Sequence, residues 1–527
     1  MRRVSRLLFP LLICALAVIN GQAQNNPRVD FKETTLKNGL RVLTIEDHSA
    51  PVIAISVSYK VGSANEREGR TGFAHLFEHM MFKGSENIGS GEHFILVFNN
   101  GGTMNGTTNA DRTVYFEALP ANLPERLALR YHGHQFRSYN PHLGDGRGFL
   151  HAQLHDAEDG RLLDLGTKGS GQTPYSRGGD GRLTLKGGIR EVLATEMLEA
   201  LGVYTSKSFS LFETGEALER GDEPSPTRSS VLVRLSHSHV RFGSFQRHAA
   251  ARDTERIGRL LAYATTHLVP ENGSSADGFL RAVVRRSARL AASWTVAGFV
   301  HGVLNTDNMN VTGESFDYGP YRFLPTFDPE FTAAYFDETG LYRFGRQPAI
   351  VGWNLERLAE TLALVAPVEG LRDALSRFES QFQEDVTAQL LARLGLVPRN
   401  ADDDGELLRT AFTFLHERTV GYDRFYFDWY GGDPSRATSG PAAKGYAGPS
   451  FEAFRRRLAG YEAVAPKRLA LPYYQQPGPC SLLIDEIETI WSAIDERDDW
   501  GPFEAKLAAI AELRSANPEL VARGRQP

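Results

Sequence analysis

Only two cysteines occur in the 527 residues, Cys14 and Cys480, and just one of them lies in the body of the chain, so no internal disulfide framework supports the fold. Long apolar runs are nearly as scarce. The run Leu7–Ile19 is short for a bilayer span. It comes after Arg2, Arg3 and Arg6 and leads to the small residues Gly21-Gln22-Ala23. That layout predicts a secretory signal peptide over residues 1–23 and no membrane span once it is removed. Long basic runs are missing too, and the net charge is −6, which gives no support to a nucleic-acid partner. What remains is an ordinary globular composition, 41% hydrophobic and 23% charged, in a chain long enough for two or three units.

From Val29 to about Arg130 the text alternates apolar and polar residues around an Asn38-Gly39 turn, the pattern of a hairpin-rich sheet. Inside it stands GFAHLFEHMMFKG, Gly72 to Gly84. His75 and His79 are four apart and share one face of a predicted helix, with Glu78 beside them. Two imidazoles so placed can hold zinc, and a neighbouring carboxylate can take a proton from zinc-bound water. The order His-x-x-Glu-His is the inverted zincin motif. Together with GGTMNGTTNADRTVYF, it resembles the N-terminal part of the insulinase/pitrilysin metallopeptidases. By that resemblance His75 and His79 would bind zinc and Glu78 would be the general base.

The resemblance also requires a third ligand, a glutamate on a later helix. The nearest candidate, Glu158 in HAQLHDAEDGRLLDL, falls in a polar turn between two predicted strands and is expected to face solvent. Two histidines alone hold zinc weakly, so zinc is not expected as a cofactor and the motif reads as vestigial.

Near residue 130 the chain changes character. The tetrapeptide GDGR occurs twice, at Gly144–Arg147 and Gly179–Arg182, in glycine turns of the kind that bring backbone N–H groups to an anion. Lys168 ends the strand-like run LLDLGTK, and Glu191 lies 23 residues on in the helical pattern IREVLATEMLEAL. RLSHSHVRFGSF places Arg234 and Arg241 seven apart. In GFVHGVLNTDNMNVTGESFDYG, Asp307 and Asn308 precede Asp317. Lysine, glutamate, Asp-Asn and then Asp-Tyr-Gly is the order in which protein kinases set out their nucleotide and metal groups. Taken singly each piece also reads as a solvated strand end or an Asx-rich turn.

This segment resembles the selenoprotein O family of kinase-like protein adenylyltransferases. The likeness rests on GHQF, NPHLGDGR, KGSGQTPYSRGGDGR, VRFGSF, GFVHGVLNTDNM, DYGPYRFL and GRQPAIVGWNL. It implies an α+β, bilobal protein-kinase-like fold. The small lobe would span residues 131–240 and a mostly helical large lobe 241–527, after a truncated α+β metallopeptidase-like segment over 24–130. By position, Gly144, Gly146, Arg147, Lys168, Asp180, Gly181, Arg234, Arg241 and Asp317 would contact ATP. Asp307 would be the proton acceptor, Asn308 and Asp317 would hold Mg2+ or Mn2+, and Glu191 would pair with Lys168.

The implied reaction moves AMP from ATP to Ser, Thr or Tyr hydroxyls of protein substrates. A zinc peptidase, an inactive ATP-binding pseudokinase and a conventional kinase stay open as alternatives. Arg137 comes directly after GHQF where the family usually has glycine, so a crowded turn is expected there. Two expectations on location compete, since the signal peptide predicts export whereas use of ATP suggests the cytoplasm.

Overall fold

A computed structural model describes residues 30–46, 52–85, 89, 91–99, 102–120, 127–221 and 223–525. The signal peptide expected at 1–23 lies outside the described residues. The chain divides into two compact units, one up to Leu123 and one from Pro124. The second unit therefore begins before the boundary expected at residue 130. Leu127 bridges Leu150 and Arg130 bridges Gly144, which makes both part of the second unit.

In the first unit the Asn38-Gly39 turn joins β1 (Lys32–Thr35) to β2 (Arg41–Thr44) as an antiparallel hairpin, as the sequence predicts. Strands β3 (Val52–Tyr59), β4 (Thr103–Thr108) and β5 (Thr113–Pro120) form a second antiparallel sheet in the order β3-β5-β4. The zincin-like motif occupies helix α1 (Phe73–Met81), and α2 (Glu92–Asn99) comes next. Only Ala74 and Glu78 of α1 are buried, while Phe73, Leu76, Phe77, Met80 and Met81 are each about half exposed. Every residue of β3 is exposed as well. The described residues of this unit thus leave much of their apolar surface in solvent, against the usual burial of such side chains.

The second unit opens with a tight hairpin, β6 (Gly133–Gln135) and β7 (Ser138–Asn140), whose two-residue turn is Phe136-Arg137. A five-stranded antiparallel sheet comes after it. Its strands are β8 (Leu150–His155), β9 (Leu162–Lys168), β10 (Leu183–Thr184), β11 (Lys207–Leu218) and β12 (Thr227–Ser236), and β12 pairs with β9, β10 and β11. Helix α3 (Leu185–Ala200) starts at Thr184, whose hydroxyl accepts from the Gly187 N–H at 3.1 Å, an ordinary N-cap. Its Ile189, Leu193 and Met197 are buried, and it packs on β11 and β12.

From Phe242 onward the unit is mostly helical. α4 (Phe242–Ala250) and α5 (Thr254–His267) lead to the long α6 (Ala276–Ala297), which is buried along most of its length. Gly298 ends α6 at φ 68°, a left-handed residue whose Cβ would overlap the Tyr422 ring, so glycine is required there. Helices α7 (Gln347–Leu362), α8 (Val368–Ser376) and α9 (Phe378–Leu394) pack on α6, and α10 (Ala401–Leu415) packs on α9, in line with the apolar periodicity of that stretch. Cys480 is buried in the C-terminal part of this core, where its thiol is pushed up to about 11 by burial. No helix among the described residues is long and apolar enough to cross a membrane.

Candidate nucleotide site

The pattern of β9 decides which groups the sheet offers. Its buried side chains alternate, so Asp164 and Lys168 point to one face. β12 runs antiparallel beside it, with Leu232 opposite Lys168 and Arg234 opposite Gly166. Lys168 and Arg234 are therefore diagonal neighbours on the same face. Glu191, on α3, reaches this face from the helix layer and accepts a hydrogen bond from Lys168 Nζ at 2.5 Å. The predicted pair forms, and both side chains are almost wholly buried. Arg234 Nη1 lies 3.5 Å from Glu191 and 3.7 Å from Asp317. Burial works against the charge of Arg234, but Glu191, Asp317 and Asp145 outweigh it and raise its pKa.

Asp317 arrives on a different segment. The backbone of Ser315 exchanges hydrogen bonds with Tyr204 and Ser206, which ties the stretch before Asp317 to the segment between α3 and β11. Asp317 itself adopts φ 64°, left-handed and uncommon for a residue other than glycine. Its carboxylate accepts from Lys168 Nζ at 2.6 Å. Burial alone would raise its pKa. Lys168, Arg234, Arg241 and Arg147 prevail and hold it well below the usual carboxylate range.

Asp307 and Asn308 sit in a short turn, Thr306–Asn308, fastened from several sides. The Thr306 hydroxyl accepts from the His134 N–H at 2.7 Å and donates to Gln246 at 2.7 Å, and Gln246 bonds the His134 ring at 2.8 Å. Arg241 lies between the rings of Tyr131 and Phe316 and donates to the Asp307 carbonyl at 3.0 Å. These contacts fix the backbone and leave the Asp307 side chain directed at the cavity. Oδ2 takes a long 3.5 Å bond from Gln135, and Oδ1 is buried with no hydrogen-bond partner. Burial pushes the Asp307 pKa up to about 6.

One cavity of about 730 Å3 gathers these groups. Gly144, Gly146, Arg147, Lys168, Asp180, Gly181, Arg234, Arg241, Asp307, Asn308 and Asp317 all line it. Glu191 stands behind Lys168, so every residue assigned to the downstream site from the sequence is brought together. Asp180 is already engaged: Arg220 pairs with it at 2.8 Å, and it caps the Arg182 N–H. The lining also includes Tyr131, Gln135, Asp145 and Tyr175, which sequence reasoning does not assign to the site. Gln135 belongs to GHQF and Asp145 to GDGR, so motif membership is their only signal. Tyr175 likewise falls inside KGSGQTPYSRGGDGR, but its steric role is visible only in three dimensions. A Cβ on Gly144 would run into the Tyr175 ring, which makes the first GDGR glycine obligatory.

Buried polar atoms without partners cluster here, among them Arg234 Nε, Arg241 Nε and Asp307 Oδ1. Unsatisfied groups at this density mark a place built for a polar ligand, and the arginine surplus suits phosphates. Asn308 donates its amide to the Val303 carbonyl at 3.0 Å, leaving the amide oxygen as a donor atom to a cation. Together with the Asp317 carboxylate it offers hard oxygen ligands that suit Mg2+, which keeps several waters of its own.

The zincin-like motif gives a different picture. His75 and His79 bring their Nε2 atoms to 3.1 Å. Glu78 accepts a 2.5 Å hydrogen bond from the Thr108 hydroxyl. Glu158 is exposed in the β8–β9 turn, in the other unit. Among the described residues no group of three His, Cys, Asp or Glu side chains is placed to share a metal ion.

A lysine held by a helix glutamate, beside an Asp-Asn turn and a second aspartate on one phosphate-suited cavity, defines a nucleotide-handling site. Residues 103–511 match the family model described as Protein adenylyltransferase SelO, and the chain belongs to that family of nucleotidyltransferases. It is 48% identical over 395 residues to a protein nucleotidyltransferase YdiU of Gloeobacter violaceus, covering 72% of this chain and 80% of that one. It is 46% identical over 416 residues to a YdiU of Synechocystis sp., covering 74% and 85%. A YdiU of Aeromonas hydrophila is 37% identical over 412 residues, covering 76% and 84%. Residues 41–129 separately match the model for Insulinase (Peptidase family M16).

Proposed function

We propose that the chain transfers AMP from ATP to hydroxyl groups of protein substrates, with a bilobal, kinase-like second unit carrying the site. The observation that carries this reading is the convergence of Lys168, Arg234, Asp317 and the unpartnered Asp307 Oδ1 on one cavity.

Lys168, Arg147, Arg234 and Arg241 would clamp the phosphates, and the glycines of the two GDGR turns would let backbone come close to them. Asn308 and Asp317 would hold Mg2+, which supplies neutralisation of phosphate charge when bound. Asp307 would accept the proton as the acceptor oxygen attacks the α-phosphorus. The new O–Pα bond forms, the bond from Pα to the bridging oxygen breaks, and pyrophosphate leaves. A carboxylate with pKa near 6 remains mostly ionised at neutral pH and still matches the demands of a general base. Since the reaction consumes ATP, we place it in the cytoplasm; cell fractionation that finds the chain outside would overturn that placement.

The test uses purified full chain, Mg2+ and ATP labelled at either the α- or the γ-phosphate, with Asp317→Ala as control. Protein-bound α-label that vanishes in the control supports AMP transfer. Label from the γ-position alone would make the chain an ordinary kinase, and no label with retained ATP binding would make it a pseudokinase.

A further inference from the structure

The turn Phe136-Arg137 is the most unusual piece of backbone near the site. In a two-residue hairpin of type I′ both central residues take φ above zero, a demand that Asn-Gly or Gly-Gly meets easily. Here the φ values are 48° at Phe136 and 65° at Arg137, on two bulky side chains. Such strain persists only where surrounding contacts enforce it, and where found it points to function.

The enforcing contacts are those that hold the catalytic turn. Phe136 donates its N–H to Asn305 Oδ1 at 3.2 Å and to the Tyr342 hydroxyl at 3.1 Å, and Tyr342 donates to the same Asn305 oxygen at 2.5 Å. One strand back, Gly133 lies against Asp307, where a Cβ would come within 2.7 Å of Oδ1. The hairpin is thus clamped along the turn that carries Asp307, and Gln135, directly before its tip, and Asn305, which accepts from the Phe136 N–H, both line the cavity.

The tip presents rings and a cation to solvent. Phe136 is 38% exposed and meets, edge to face, Phe336, which is 46% exposed and touches Tyr335, itself 80% exposed. Arg137 is exposed and lies 5.7 Å from the Trp353 ring centroid, and it forms no ion pair among the described residues. Three contiguous exposed rings next to a cation lacking a carboxylate make a surface complementary to a chain segment carrying an apolar side chain and an acidic one. Its continuity with Asp307 sets the third requirement, a hydroxyl.

We propose that Phe136, Arg137, Tyr335 and Phe336 form the docking surface for the acceptor protein. It would take an extended segment with an aromatic or large aliphatic residue on the rings, and an Asp or Glu opposite Arg137 close to the hydroxyl that receives AMP. The transfer step rests on the proposed AMP-transfer function of the same site, whereas peptide binding is measurable without it.

The experiment uses the full chain as wild type, Arg137→Gly and Phe336→Ala, with fluorescent peptides that hold one serine. The first peptide has phenylalanine on one side of the serine and glutamate on the other; a second replaces glutamate by lysine, and a third replaces phenylalanine by alanine. Binding is read by anisotropy with α,β-methylene-ATP present, and transfer by α-label incorporation. Wild type should favour the Phe/Glu peptide over the Phe/Lys peptide about fivefold, as expected for an exposed charge contact counted as attraction against repulsion. Arg137→Gly should erase that ratio while binding the ATP analogue as wild type does, and Phe336→Ala should weaken the phenylalanine peptides alone. Glycine suits the left-handed position, so Arg137→Gly is expected to fold.

Binding preferences without any transfer would uphold the docking surface and overturn the AMP-transfer reading. Transfer without a preference, a preference unchanged in Arg137→Gly, or no peptide binding at all would overturn the docking surface.

Discussion

Lys168 and Asp317, 149 residues apart, meet at 2.6 Å, and the same ammonium bonds Glu191 at 2.5 Å. One cation therefore holds together a sheet, a helix and the segment after the Thr306–Asn308 turn. Replacing it leaves two carboxylates in a poorly solvated place. Lys168→Met is expected to reduce AMP transfer by roughly 100-fold or more and to cost roughly 3 kcal/mol of stability. Label incorporation and denaturant unfolding read the two effects; a variant with full transfer would remove Lys168 from the site.

The proposed base, Asp307, sets the pH dependence expected of the transfer. Its carboxyl must be ionised to accept a proton, and burial sets its pKa at about 6. Transfer should climb about tenfold per pH unit below that value and level off above it. Asp317, held well below the usual range, adds no second limb in this window. A rate that falls as pH rises from 5 to 7 would rule out Asp307 as the base.

Gly144→Ala tests the steric demand at the first glycine turn. The new methyl meets the Tyr175 ring, so the loop beyond it must shift and ATP affinity should drop by about tenfold or more. The double variant Gly144→Ala with Tyr175→Ala should recover part of that loss. Calorimetric titration with ATP would show whether it does.

Metal removal separates the two units' chemistry. Chelation should abolish AMP transfer, and Mg2+ or Mn2+ should restore it through Asn308 and Asp317. His75→Ala and His79→Ala should leave transfer unchanged, and the dialysed chain should hold substoichiometric zinc, since two imidazoles bind it weakly. One tightly held zinc per chain, lost in His79→Ala, would reinstate the metallopeptidase reading.

Thr184→Ala removes the hydroxyl that caps α3, the helix bearing Glu191. A loss of about 1 kcal/mol is expected on denaturant titration. An unchanged midpoint would mean the helix start is held by packing alone.

The downstream site is legible in the sequence because its chemistry is written in short motifs. A lysine at a strand end, a glutamate in a helix pattern and an Asp-Asn turn each declare a residue type that solvent or packing would rarely demand together. The residues that escape such reading are set by three-dimensional crowding. Tyr175 belongs to the motif KGSGQTPYSRGGDGR, but only the fold shows that its ring faces Gly144 across a loop. The crowding expected at Arg137 takes the form of a left-handed backbone at φ 65°, which no local pattern specifies. The bridges from Leu127 to Leu150 and from Arg130 to Gly144 join residues far apart in the chain, and no local motif announces them. Helix periodicity beyond residue 350 carries over well, being a repeated local signal that packing around α6 reinforces.

The lone buried thiol of Cys480 has a practical consequence. Its surroundings keep it neutral and inaccessible, so a thiol reagent reaches it only when the C-terminal core opens. The rate of labelling at Cys480, with Cys14 absent or replaced, would therefore act as a clock for opening of that core, reading out by mass alone how nucleotide or acceptor binding slows the breathing of the unit.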